Sequence, residues 1–287
     1  MKLLVLGGSG MLGHMLANIA SVTPGISVTA TGRSTLDISS LTSGVISTSF
    51  DAGNLTFDAI DPLFSQRCDY CVNCIGAVKQ LKNISAFDMY YLNFSFPSAL
   101  SNICKLYQTR LIHVSTDCVF VGDRGNYLET ETPDAHDAYG HSKFLGEQIA
   151  DSALVLRTSI VGPELNGSRQ GLLGWFLGET SSVMGHTQAY FSGLTTLCLS
   201  EFIIDLIQRS KWESGLFHVA GPKISKFDLL KAFNLHFGLN THINGNETLK
   251  IDRSLVNGLV DLFGYRLQSW DEMLRSLVLH INSKDKK

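Results

Sequence analysis

This chain has no stretch approaching the roughly 20 consecutive apolar residues that a membrane-spanning helix requires. Nor does it carry an excess of basic residues. Its 23 Lys and Arg stand against 26 Asp and Glu, a net charge of −3, which leaves no positive field to attract nucleic acid. The apolar start, Leu3-Leu4-Val5-Leu6, is cut off by Gly7, too soon for the apolar core of a signal peptide. A buried first strand accounts for it, and a cytoplasmic protein that meets neither membrane nor nucleic acid is expected. Metal-ligand spacing is missing as well: the nine histidines are scattered, so no catalytic metal is expected. Cys68, Cys71 and Cys74 imitate part of an iron–sulfur run, but Val78 holds the place of the next ligand. Read as a strand, residues 70–75 send side chains three apart to opposite faces. The three thiols are then expected to be core residues that do not converge. Internal repeats are absent too.

What the chain does have is a core-building composition, 44 % hydrophobic and 17 % charged over 287 residues, enough for one large domain or a large one with a small one. Short apolar runs alternate with longer helical patterns. Strands read at 3–6, 26–31, 44–50, 70–75, 110–115 and 154–157, with helices at about 11–20, 55–66, 85–106 and 138–151. That alternation is the signature of βαβ units and a parallel sheet flanked by helices. Past Gly162-Pro163 the pattern is less regular, although residues 215–221 still read as a sheet strand. The expectation is an α/β, Rossmann-type fold. Residues 1–161 would form an NAD(P)-binding domain, and 162–287 a smaller C-terminal substrate lobe interleaved with the last strands.

Three groups of residues carry chemistry. Gly7, Gly10 and Gly13 follow an apolar strand and open a helix, the context in which glycines let a backbone approach a pyrophosphate. The first helical N–H groups, at Met11 and Leu12, would then face that anion. The second strand ends Thr31-Gly32-Arg33-Ser34, without the acidic residue that would hold a ribose 2′-hydroxyl. Arg33 is placed to meet a 2′-phosphate instead, which favours NADP(H) over NAD(H). Tyr139 and Lys143 stand four apart on a helix and so share a face. A cation beside a phenol, whose unperturbed pKa is about 10, is expected to lower that pKa and let Tyr139 trade protons near neutrality. Upstream lies Ser115-Thr116-Asp117, a hydroxyl and a carboxyl at a strand end, where Asp117 reads equally as a turn former.

With these residues in place the chain resembles the extended short-chain dehydrogenases/reductases. Within them it is most similar to the dTDP-4-dehydrorhamnose reductase group of nucleotide-sugar enzymes. The likeness runs nearly the whole length and rests on the glycine turn, Asp51, Asn73-Cys74-Ile75-Gly76, Asn93, Ser115 to Phe120 and Tyr139 to Lys143. Arg157-Thr158-Ser159, Phe217 to Gly221 and Asp252-Arg253-Ser254 extend it. It implies that Asp51 and Ala52 border the adenine, that Cys74, Ile75 and Gly76 line the cofactor, and that Asn93 sits behind it. It further implies that Thr116 is the hydroxyl partner of a catalytic Tyr139, with Lys143 on the nicotinamide ribose. Related 4,6-dehydratases follow the Thr with Asp-Glu, whereas Cys118 follows Asp117 here, and the Ser-Ser-Ala type segment of the 4-epimerases is missing. The implied activity is NADPH-dependent reduction of a 4-keto group on a nucleotide-activated deoxysugar. A nucleotide-sugar epimerase or bifunctional epimerase–reductase is the nearest alternative. A non-catalytic regulatory subunit, like that of methionine adenosyltransferase, shares the fold. Substrate contacts are expected from Lys79 and Gln80, at the carboxyl ends of the strands, and from Asp117. Arg169 and Arg253 suit a diphosphate, and Tyr190 and Phe191 suit either stacking or the core. A homodimer fits this reading.

Overall fold

The computed structural model describes residues 1–79, 84–165, 167, 169–258, 263, 264, 266 and 268–284. Its first half alternates as the pattern requires: β1 (Lys2–Leu6), α1 (Met11–Ser21), β2 (Ser27–Gly32), β3 (Val45–Ser49), α2 (Phe57–Phe64), β4 (Tyr70–Asn73), α3 (Ala86–Tyr90), α4 (Phe96–Leu106), β5 (Arg110–Thr116), α5 (Ala138–Gly146) and β6 (Leu154–Thr158). Strand β1 shows why its sequence reads as continuously apolar. Leu3 and Val5 enter one core with Leu12, Met15 and Leu16 of α1. Leu4 and Leu6 enter another with Ile60 and Phe64 of α2 and Phe96 and Leu100 of α4. Alternate side chains on opposite faces, both covered by helices, demand apolar residues at every position.

The second half continues with β7 (Ile160–Val161), α6 (Leu172–Leu177), β8 (Val183–His186), β9 (Ala189–Phe191), β10 (Leu194–Thr195), α7 (Thr196–Gln208), β11 (Gly215–Val219), β12 (Ile224–Ser225), α8 (Lys226–His236), β13 (Ile243–Asn246), β14 (Ile251–Asp252) and α9 (Trp270–Lys284). The main sheet has the order β11-β6-β5-β4-β1-β2-β3, with every pair parallel. Helix α7 shares the core of α1, so residues beyond 161 supply both a strand and a helix to the main body. Among the described residues, three small sheets complete the rest. In one, β9 lies between antiparallel β12 and parallel β14, which sets Ser225 and Asp252 on either side of Tyr190. The strand order reverses between β1 and β4, and a ligand of an open α/β sheet binds at such a switch point.

Two expectations need correction. The helical pattern over 85–106 is not one helix: Tyr91–Ser95 is wound as a π-turn, in which Phe96 N–H reaches back to the Tyr91 carbonyl. Pro97 explains the break, because it has no N–H to offer the carbonyl of Asn93, four residues earlier. The cysteine argument also fails in part. Strand β4 stops at Asn73, so Cys68 and Cys74 lie outside it, and Cys68 shares a core cluster with Cys71 and Cys104. Cys74 packs against the other core. All three are free thiols, and burial pushes the Cys68 and Cys74 thiols up to about 12.

Candidate active site and glycine cradle

The turn after β1 is built around backbone that leaves no room for side chains. Gly7 has φ +84°, a left-handed conformation that only glycine adopts without strain, and it abuts Cys74 and Ile75 across the β1–β4 switch. There an added Cβ would sit 3.0 Å from Ile75 Cγ1. At Gly13 a Cβ would fall 2.1 Å from the Gly7 carbonyl oxygen. Gly8 N–H donates to the Thr31 carbonyl at 2.6 Å and Gly7 N–H to Thr31 Oγ1 at 3.2 Å, tying the turn to β2. Gly10 caps α1 without any side-chain hydrogen bond to the helix. The opening N–H groups at Met11 and Leu12 therefore keep the positive end of the helix for an outside anion. A cradle that a Cβ would fill, at an uncapped helix start, fits the pyrophosphate of a dinucleotide. Arg33 is exposed just past β2. Asp51 accepts from Gly53 N–H at 3.0 Å, capping a short 3₁₀ turn that holds buried Ala52.

Beyond β4 the loop 74–77 is fixed from beneath. Ile75 N–H donates to Asn73 Oδ1 at 3.0 Å. Asn93, fully buried, accepts from Ala77 N–H at 2.8 Å and donates to the Ala77 carbonyl at 3.1 Å and to Ser142 Oγ at 3.0 Å. The π-turn aims Asn93 at this loop, and the side chain thereby pins the loop to α5. Gly146 permits that crossing, since a Cβ there would meet the Asn93 carbonyl oxygen at 2.0 Å.

Asp137 starts α5 by accepting from Gly140 N–H at 3.0 Å, and Tyr139 and Lys143 follow on one face. Lys143 is buried, donates to the Val114 carbonyl at 2.7 Å and comes within 3.8 Å of where a Gly76 Cβ would be. Burial lowers its pKa to about 8, against the opposing pull of Glu147. The half-buried Tyr139 phenol lies beside Thr116, Asp117 and Cys118, and its pKa is raised, not lowered. Desolvation dominates, the neighbouring acidic groups add to it, and the Thr116 hydrogen bond only partly offsets them. The Lys143 ammonium donates to Val114 O and does not bring the phenol below its ordinary pKa. The phenol is thus held protonated. Thr116 itself accepts from Cys118 N–H at 3.1 Å.

Around this pair the structure gathers Lys79, Asp117 and Arg253. Lys79 pairs with Asp137 at 2.8 Å and stands 5.6 Å above the Tyr139 ring. Asp117 is buried, which raises its pKa, while Arg253 and Lys226 counteract the shift. Arg253 donates Nε–H to the Phe120 carbonyl at 2.7 Å and Nη1–H to Cys118 Sγ at 3.8 Å. Arg169 is not brought into this group: it is exposed, and its Nη1 would lie 2.6 Å from a Gly178 Cβ. Gln80 lies outside the described residues. Phe191 is a core residue against Trp270, at 5.4 Å between ring centroids, and Tyr190 carries the Lys223 ammonium over its ring at 4.4 Å.

Two groups escaped the sequence reading. Behind Lys143, buried Glu147 accepts from Arg157 at 2.6 and 3.0 Å and from Ser115 Oγ at 2.5 Å. Arg157 donates on to His218 Nε2 at 2.9 Å. Glu147 is four residues beyond Lys143, the helical spacing that put Tyr139 and Lys143 together, so that signal was readable. Lys226, beside Asp117, was readable too, as a cation at the start of a helix, where the dipole disfavours it.

Residues 1–249 match the family model described as the RmlD substrate binding domain. A dTDP-4-dehydrorhamnose reductase of Mycobacterium tuberculosis is 30 % identical over 176 residues, covering 56 % of this chain and 50 % of the relative; the chain thus spans about half the length of that curated relative. Among solved structures, a dTDP-4-dehydrorhamnose reductase from Bacillus anthracis in complex with NADP superposes with a TM-score of 0.80 at 19 % identity, covering 97 % of this chain and 99 % of that one. A dTDP-glucose 4,6-dehydratase from the same organism, in complex with NAD, reaches 0.79 at 15 % identity, with 100 % and 98 % covered. The fold is therefore shared by reductase and dehydratase, and the choice between them falls to the site.

Proposed function

We propose that this chain, which belongs to the RmlD substrate binding domain family, is an NADPH-dependent reductase of a 4-keto group on a nucleotide-activated deoxysugar. The observation that supports this reading is a Tyr139 phenol beside Thr116 at the end of β5, with Lys143 of the same helix reaching Val114 O and the Gly76 backbone that follows β4. Gly7, Gly10, Gly13 and the N–H groups of Met11 and Leu12 would hold the dinucleotide pyrophosphate. Asp51 and Ala52 would flank its adenine, Arg33 would take the 2′-phosphate, and Cys74, Ile75 and Gly76 would line its path. Lys143 would hold the nicotinamide ribose. When bound, the dinucleotide supplies a hydride.

The chain's own part is proton delivery and orientation. Tyr139, kept protonated by its surroundings, donates its proton to the oxygen of the carbon being reduced. Thr116 orients that oxygen and the phenol together. Asp117, Lys79 and Arg253 line the approach. Cys118 stands where a second carboxyl would assist an elimination, which favours reduction over dehydration. The complete Thr116, Tyr139 and Lys143 set speaks for an enzyme and against a purely regulatory subunit.

The test is NADPH oxidation against a panel of nucleotide 4-keto-sugars, beginning with dTDP-4-dehydrorhamnose, the substrate named for the relative. One NADPH consumed per sugar reduced is expected. Interconversion of sugar epimers without net NADPH consumption would replace this reading with an epimerase.

A further inference from the structure

Strands β4 and β5 place Asn73 and His113 directly opposite each other, and both residues are fully buried. Their side chains meet where Asn73 Nδ2 comes within 3.1 Å of His113 Nδ1. The other end of the Asn73 amide is committed, because Oδ1 accepts from Ile75 N–H at 3.0 Å. A backbone N–H can only donate, so the amide must turn its oxygen to Ile75 and its NH₂ group to His113. His113 Nδ1 therefore presents a lone pair. Its ring proton sits on Nε2, and the imidazole is neutral.

That tautomer is the costly one. Among the described residues His113 Nε2 is buried without a hydrogen-bond partner, 3.7 Å from where a Gly146 Cβ would be. A buried N–H left unpaired opposes folding, and an apolar side chain at this position would not carry one. Burial, reinforced by the Lys143 ammonium, holds the ring's pKa well below its ordinary value. No second proton then arrives on Nδ1 to turn against the Asn73 amide. What the imidazole contributes here, and an apolar residue would not, is one acceptor aimed at Asn73.

We propose that His113 is a positioning residue for the dinucleotide: its Nδ1 lone pair fixes the Asn73 amide, and Asn73 fixes Ile75 in the wall that meets the cofactor. This rests on the reductase reading above, in which Cys74, Ile75 and Gly76 line the dinucleotide, and adds to it the residue that sets their backbone from beneath. Asn93 holds the far end of the same loop at Ala77, so two buried amides clamp residues 74–77 from both ends. Asn93 is oriented by Ser142 Oγ, and Asn73 by His113. Without an acceptor at position 113 the Asn73 amide is free to turn, and Ile75 N–H loses its fixed partner.

Two substitutions of nearly equal size separate this role from simple packing. His113→Asn returns an acceptor oxygen close to the place of Nδ1, whereas His113→Leu leaves the same space without one. In fluorescence titrations of the full chain, His113→Leu should bind NADPH about 3- to 30-fold more weakly than the parent, as expected when a buried donor loses its partner. His113→Asn should stay close to the parent, a rescue that loss of ring packing alone would not give. Nitrogen NMR of the parent's histidine rings at pH 7, with His113 assigned by its disappearance in His113→Asn, should show Nδ1 bare and Nε2 protonated. This measurement decides even where His113→Leu fails to fold, since a proton on Nδ1 would overturn the assignment outright. Equal NADPH affinity in His113→Leu and His113→Asn would overturn the positioning role and leave the reductase reading standing. A parent that binds neither NADPH nor NADH would overturn both.

Discussion

Tyr139 illustrates what one residue owes to its spacing and what it owes to its surroundings. The four-residue interval to Lys143 placed both on one face of α5, as helical geometry requires. The direction of the phenol's pKa could not be read the same way. It depends on Thr116, Cys118 and Asp117, which arrive from the end of β5, and on a Lys143 ammonium that bonds to Val114 O. A phenol held protonated keeps the proton that the proposed reduction would draw on. Tyr139→Phe keeps the ring and should lower kcat about 10²–10⁴-fold, the usual contribution of a general acid, with NADPH affinity nearly unchanged. Parent-like turnover with chemistry rate-limiting would remove Tyr139 from the mechanism. Arg33 is a simpler case, exposed just past β2 and free to meet a ligand. Arg33→Ala should cost NADPH binding about 1.5–3 kcal/mol, the worth of a hydrogen bond to a charged group, and NADH far less. Equal losses in fluorescence titrations would mean that Arg33 only shapes its loop.

At the scale of elements, the glycine turn and α1 were legible because each glycine answers a local requirement that sequence alone expresses. The break in the 85–106 pattern was not. Its cause, the missing N–H of Pro97, was visible, but its purpose lies in Ala77 and Ser142, far away in the chain, which Asn93 reaches through the π-turn. Lys79 and Asp137 were likewise joined only by the fold. The two ends of the cradle should respond differently to an added methyl group. Gly13→Ala places a Cβ 2.1 Å from Gly7 O, a backbone clash that the turn must open to relieve. A stability loss of about 1–3 kcal/mol by urea unfolding is expected, with NADPH binding lost alongside. Gly10→Ala meets Gly7 O at 3.3 Å, so its stability loss should be smaller while its Cβ crowds the anion's approach. Equal stability losses for the two would show that close packing of α1 on the turn is not what Gly13 serves.

The whole molecule is held in part by a buried polar chain that crosses the sheet from Glu147, just past α5, through Arg157 of β6 to His218 of β11. Its far end makes the stability depend on pH. Arg157 can only donate, so its 2.9 Å bond to His218 Nε2 requires a lone pair there, and Nδ1–H must then donate to the Val256 carbonyl at 3.1 Å. Protonating His218 would turn a second N–H against the guanidinium and bury two like charges. Desolvation and Arg157 accordingly lower the His218 pKa from 6.5 to about 4. Between those values the unfolded chain binds the extra proton and the folded one does not, so stability rises with pH across the window. The contribution is complete above about 6.5 and is lost as pH falls towards 4, on the order of a few kcal/mol for this group. His218→Gln can retain an acceptor for Arg157 without a titrating proton. Urea-unfolding free energies measured at pH 7, 6 and 5 should fall more steeply for the parent than for His218→Gln, because other titrating groups contribute equally to both. Parallel curves would mean that His218 titrates in the folded protein as it does in the unfolded chain, and burial beside Arg157 would not be what sets the pH dependence.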